Sequence, residues 1–140
     1  MNGMGQVISY KAMNIAVEKA RQHGVSFVSA KRSNHYGTCA YYAMMPLSGN
    51  MIGYSSTIGG GNLMAPWGGC DNRIGNNPFA VAIPALERDA VVLDMAMSVV
   101  AKGKIVMATK TKSEIPDDWA FDSRGVPTTD PYEAIKGSIR

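Results

Sequence analysis

The sequence predicts a mixed α+β fold, on three observations. Residues Gly5 to His23 repeat their apolar positions at helical spacing. Two β-branched apolar runs flank a short polar turn, the pattern of a hairpin. No GxGxxG follows a strand, so the expected sheet is a mixed one with helices packed on it, not a doubly wound parallel sheet.

The first helix, Gly5 to His23, places Ile8, Ala12, Ile15, Ala16 and Ala20 on one stripe, with Lys11, Glu18, Lys19 and Arg21 largely off it. Its end is marked by His23-Gly24, because glycine readily takes the left-handed conformation that closes a helix. Val25 to Ala30 alternates apolar and small polar residues and reads as a strand. After the polar stretch Lys31 to Gly37, Thr38 to Met45 reads as a short helix closed by Pro46 and Gly49. Met51 to Ile58 is the next strand, and a glycine-rich passage follows it from Gly59 to Gly69. Phe79 to Ile83 and Ala90 to Asp94 form the hairpin arms, and Met97 to Thr111 is helical in propensity, weakened at Gly103. From Ser113 onward Pro116, Gly125, Pro127 and Pro131 predict mostly loop, with no element to close the chain. No repeat or linker divides residues 1–140, which read as one domain, and the irregular end reads as that of an incomplete one.

Composition narrows the functions open to it. With 140 residues, 46% hydrophobic and 18% charged, the chain can bury a core and is not a disordered segment. A net charge of +3, spread along the chain, does not point to nucleic acid. No apolar run approaches the roughly 18 residues of a membrane span, and the start lacks the pattern of a signal peptide. Two cysteines, Cys39 and Cys70, make no disulfide framework, so a reducing cytoplasm is the expected location. No HxxxH, HxxE or CxxC spacing supports a metal site, and no GxSxG elbow supports a serine nucleophile.

Few residues are left to carry chemistry. His23 ends a helix and most simply faces solvent. His35 lies in the polar loop Ser33-Asn34-His35-Tyr36-Gly37, between a strand and a helix, where an imidazole can either move a proton or serve as a hydrogen-bonded structural group. Gly59-Gly60-Gly61 allows a ligand close approach to backbone N–H groups, or is simply a loop. Asp94, ending Val91-Val92-Leu93-Asp94, either caps the helix that follows or points into a site. Trp67 and Trp119 fit core packing better than stacking on a ligand.

Five stretches in order are similar to one known family: Ser33-Asn34-His35-Tyr36-Gly37, Ala65-Pro66-Trp67-Gly68-Gly69, Gly75-Asn76-Asn77-Pro78, Asp94-Met95-Ala96-Met97-Ser98, and Gly125-Val126-Pro127-Thr128-Thr129-Asp130-Pro131. Together they resemble the second type of malate/L-lactate dehydrogenase, a non-Rossmann family that includes ureidoglycolate, sulfolactate and diketogulonate enzymes. The resemblance implies an oxidoreductase that uses NAD or NADP and transfers hydride to or from a small 2-oxo or 2-hydroxy acid. It implies a proton-transfer role for His35 and cofactor contacts at Gly59, Gly60, Asn76, Asp94, Met95 and Ala96. Asn76 and Met97 depart from the threonines common at those places. The resemblance further implies a homodimer in full-length form. Family members carry an N-terminal helical part with a substrate-clamping arginine, and a C-terminal remainder, that nothing here matches. The expectation is therefore an internal portion with little or no activity by itself, or alternatively a non-catalytic remnant that binds a dinucleotide or a partner subunit.

Overall fold

The computed structural model describes residues 2–140, which form two compact units. The first comprises residues 2–57 and 79–95, and the second residues 58–78 and 96–140, so the glycine-rich passage leaves the first unit between two of its strands. Helices and small antiparallel sheets make up both, a mixed α+β content.

In the first unit, helix α1 spans Gly5–His23 as its periodicity predicts, and Gly24 closes it at φ +83 with its N–H on the Ala20 carbonyl. Its stripe is only half-buried, and Ile15 lies exposed. Val25 to Ala30 forms no strand: Val25 and Phe27 are exposed, and Ser26 Oγ donates to the Ala16 carbonyl at 2.5 Å. Alternation alone does not make a strand where no neighbouring strand offers a ladder of hydrogen bonds. Helix α2 is Cys39–Met44, and Met45–Gly49 continues as a 3-10 turn with Pro46 near its start, a place where its missing N–H costs nothing. Strands β1 (Gly53–Ser56), β2 (Phe79–Ile83) and β3 (Val91–Met95) form one sheet in the order β1-β2-β3, with β2 antiparallel to both neighbours. The hairpin expectation holds for β2 and β3. The core under this sheet is built from small residues, Cys39 and Ala43 of α2 against Ala80 and Ala82 of β2. Gly53 belongs to this design, because a Cβ there would collide with the Ala43 carbonyl.

The second unit holds α3 (Lys102–Thr111), β4 (Ala120–Phe121), α4 (Pro131–Lys136) and β5 (Ser138–Ile139), with β4 and β5 paired antiparallel. Its core gathers Val100, Ile105, Ala108, Ile115, Ala120, Ala134 and Ile139, with Leu63, Met64 and Trp119 packed on it. Trp67, in contrast, is fully exposed rather than packed in a core. Helix α3 starts at Lys102, later than expected, and the end of the chain is more regular than its prolines and glycines suggest. Asp130 caps α4 by accepting from Tyr132 N at 2.8 Å, and Pro131 takes the first helical position, so these residues start an element instead of breaking one.

The expected mixed sheet is thus replaced by two separate antiparallel ones. Among the described residues parallel pairing is confined to the isolated bridges Gly3–Ser33 and Met64–Ile139. The β2–β3 turn is too short for the crossover that parallel neighbours need, and β1 meets β2 antiparallel although residues 57–78 separate them.

Candidate functional site

His35 sits in the first unit on the loop before α2, and its neighbours are tied down on both sides. Upstream, Asn34 donates to the Gly3 carbonyl through both its backbone N and its Nδ2, each at 3.1 Å. Gly5, at the start of α1, lies against the carbonyls of Asn34 and His35 so closely that a Cβ would collide with them. Downstream, Tyr42 donates its hydroxyl to the Tyr36 carbonyl at 2.6 Å, and the two rings stack with centroids 4.9 Å apart. The Tyr36 hydroxyl lies 3.0 Å from Cys39 Sγ and 3.3 Å from Ser55 Oγ on β1. Gly37 takes φ +91, the left-handed turn that lets the chain enter α2. Residue 35 itself is exposed, so a fixed backbone presents an accessible imidazole.

The phenol of Tyr36 and the thiol of Cys39 are both pushed up from their ordinary ranges, chiefly by burial. Burial raises Tyr42 as well. These groups stay protonated at neutral pH and act as a neutral hydrogen-bonded scaffold, not as nucleophiles.

Asp94 is placed differently from the sequence expectation. No helix begins beside it, since α3 starts only at Lys102. Its Oδ2 instead accepts from Thr38 Oγ1 at 3.0 Å and from Ala40 N at 2.9 Å. It caps a helix, but the cap reaches α2 from strand β3. Met95 is exposed at the end of the same strand.

Gly59, Gly60, Asn76 and Ala96 belong to the second unit. Gly59 N donates to Asn77 Oδ1 at 3.1 Å, and a Cβ on Gly59 would collide with Asn76 Oδ1. Gly75 is buried against this passage, where its Cβ would stand 2.5 Å from the Gly59 carbonyl oxygen. Met97 N donates to the Asn76 carbonyl at 2.8 Å, bringing the segment after Ala96 to the same place. Gly60 is exposed, with nothing within 4 Å of where its Cβ would be, so its backbone is open to approach. Gly59 and Asn76, distant in sequence, therefore converge, Met97 beside Ala96 bonds to the same segment, and Gly60 stands open next to Gly59.

Sequence reasoning missed the partners that hold these residues at Thr38, Ala40, Tyr42 and Ser55, whereas Asn77 lies in the stretch Gly75-Asn76-Asn77-Pro78 already singled out. Thr38 and Asp94 are 56 positions apart, and no spacing rule links a strand carboxylate to a distant helix start. Among the described residues no group of three or more His, Cys, Asp or Glu could hold a metal ion, and no helix is long and apolar enough to cross a membrane.

Comparison with known proteins gives this arrangement a context. The malate/(S)-sulfolactate dehydrogenase of Methanothermus fervidus is 43% identical over 136 residues, covering 97% of this chain and 40% of that protein. The ureidoglycolate dehydrogenase (NAD(+)) of Escherichia coli is 37% identical over 131 residues, covering 94% of this chain and 37% of that one. The solved sulfolactate dehydrogenase of Methanocaldococcus jannaschii superposes with a TM-score of 0.85 at 40% identity, over 99% of this chain and 40% of its own. The chain thus spans about 40% of the length of these relatives. All of residues 1–140 match the family described as malate/L-lactate dehydrogenase. The chain belongs to the malate/L-lactate dehydrogenase family.

Proposed function

We propose that the chain is the central portion of an NAD(P)-dependent oxidoreductase that transfers hydride between a nicotinamide cofactor and a small 2-oxo or 2-hydroxy acid. The observation that carries this reading is the family match over the whole chain, with relatives named as malate, sulfolactate and ureidoglycolate dehydrogenases. One of those names specifies NAD(+), which favours NAD over NADP. In full-length form the protein acts as a cytoplasmic homodimer.

The residues present suit such a cofactor. An open glycine backbone at Gly60, next in the chain to Gly59, which lies against the side-chain amides of Asn76 and Asn77, offers groups that a polar dinucleotide can approach without displacing a side chain. Of the residues that the resemblance assigns to cofactor contact, Gly59, Gly60, Asn76 and Ala96 belong to the second unit, and Asp94 and Met95 to the first. When bound, the nicotinamide supplies or accepts the hydride. His35 moves the matching proton: in reduction its imidazolium donates to the substrate oxygen, and in oxidation the neutral ring takes the hydroxyl proton. Its exposed position on an anchored loop leaves the ring accessible while limiting the orientations it must search.

Titration with NADH and with NADPH, followed by quenching of tryptophan emission, tests the reading. Saturable binding is expected, and the tighter of the two identifies the coenzyme. Substitution His35→Ala should keep that binding while abolishing turnover in any preparation that reduces a 2-oxo acid. Residues 1–140 alone should show little turnover, since no arginine here corresponds to the expected carboxylate clamp. A folded chain that binds neither dinucleotide refutes the proposal and favours a non-catalytic remnant.

A further inference from the structure

We infer that Asp94 is a positioning residue for His35, acting on the reaction by fastening the loop that carries the imidazole. The inference rests on the proton-transfer role proposed for His35 and concerns a different residue and a different task. A single carboxylate oxygen, Oδ2, accepts both from the Thr38 hydroxyl and from the Ala40 backbone N. Helix α2 has no side-chain cap of its own, because Thr38, at its N-cap position, gives its hydroxyl to Asp94. The strand beneath Asp94 is itself anchored: Asp94 pairs with Ala80, which is fully buried in the cluster with Cys39 and Ala43 of α2.

His35 therefore lies between Asn34, held on Gly3, and Tyr36, held by Cys39 and Tyr42 of α2, the helix whose start Asp94 fastens across the left-handed Gly37. Releasing the Asp94 bonds frees the first turn of α2, and the shift reaches His35 through Cys39 and Tyr42 of that helix, whose contacts hold Tyr36 beside it. A carboxylate serving only a cofactor needs neither of these bonds. An asparagine can keep both, because one oxygen makes them; an alanine keeps neither.

The chain has two histidines, so the imidazole C–H resonances of His35 and His23 are separable by NMR, with His35→Ala fixing the assignment. Spectra are recorded well below the unfolding transition, alongside NADH titrations. Asp94→Ala should move the His35 resonances and the amides of residues 37–40 while leaving His23 in place. Asp94→Asn should restore them toward their original positions. Thr38→Val, which keeps the Ala40 bond, should move them in the same direction by less, and it carries the test if Asp94→Ala does not fold. The NADH dissociation constant should stay within about twofold in Thr38→Val, a position with no cofactor assignment, under about 0.5 kcal/mol. His35 resonances that do not move in Asp94→Ala or Thr38→Val overturn the positioning role. Failure of the unsubstituted chain to bind NADH overturns the dehydrogenase reading instead, so the two failures are distinguishable.

Discussion

Gly75→Ala is the most informative single substitution in the second unit, because its cost can be worked from distances. A Cβ at this position would stand 2.5 Å from the Gly59 carbonyl oxygen, 2.8 Å from Asn77 Oδ1 and 3.2 Å from the Gly61 carbonyl oxygen. Ordinary carbon–oxygen contact begins near 3.4 Å, so the Gly59 backbone must retreat by about 0.9 Å, and Asn77, which accepts from Gly59 N, must move with it. Two of the three obstacles are backbone atoms that cannot rotate away. Overpacking of this kind costs about 1–3 kcal/mol, which for a chain of this size lowers Tm by roughly 3–12 °C. Thermal unfolding followed by emission of Trp119, which packs on the core of the second unit, reads the loss directly. Gly60→Ala is the control for stability: nothing lies within 4 Å of its Cβ, and its effect should stay within about 0.5 kcal/mol. If the Gly59–Gly61 passage holds the dinucleotide, Gly75→Ala also weakens NADH binding by about tenfold, equivalent to about 1.4 kcal/mol. A Gly75→Ala chain as stable as the original refutes the packing argument; one that is destabilised yet binds NADH equally well removes this passage from the cofactor surface.

Two further predictions concern the same unit. Ile105 is the largest fully buried side chain there, and Ile105→Ala should cost about 2–5 kcal/mol in urea unfolding, whereas Ile105→Val should cost about 0.5–1.5. Equal effects of the two would show that the cluster collapses around the cavity. Asp122 is held below the usual carboxylate range, first by the Val126 N–H, then by the Arg124 guanidinium, against the opposing effect of burial. A carboxyl whose pKa is lowered on folding stabilises the folded state above its unfolded pKa, and that stability is lost as pH falls through the folded value. Stability should therefore decline below the ordinary carboxylate range, and Asp122→Asn should flatten this acid limb in chemical denaturation at stepped pH; an unchanged slope would remove Asp122 from the account.

Much of the fold was legible in the residues. Helix α1 came from a 19-residue pattern with a glycine stop, and the β2–β3 hairpin from two apolar runs around a polar turn. Such signals are local: periodicity and turn chemistry act within a few residues. The segment from Val25 to Ala30 shows where this fails, since strand pattern without a neighbouring strand leaves only extended chain. The end of the chain failed in the opposite direction. Asp130-Pro131 is a helix start as readily as a loop, and β4 and β5 exist only because Ala120 and Ile139 are brought together.

The candidate residues divide along the same line. Sequence by itself determined the family, the loop carrying His35 and the glycine passage around Gly59 and Gly60, because these are short ordered motifs whose chemistry lies in residue type. Only the tertiary structure decided what those residues touch. It turned Asp94 from a cap for the segment after it into a cap for α2, 54 residues earlier at Ala40, and it set Gly75 against Gly59 and Asn76 against Met97. Contacts of that kind depend on which backbones approach closely enough for one oxygen to serve two donors or for a missing Cβ to matter. Hydrogen bonds and steric exclusion act over a few ångströms of space, and the order of residues along the chain does not encode those distances locally.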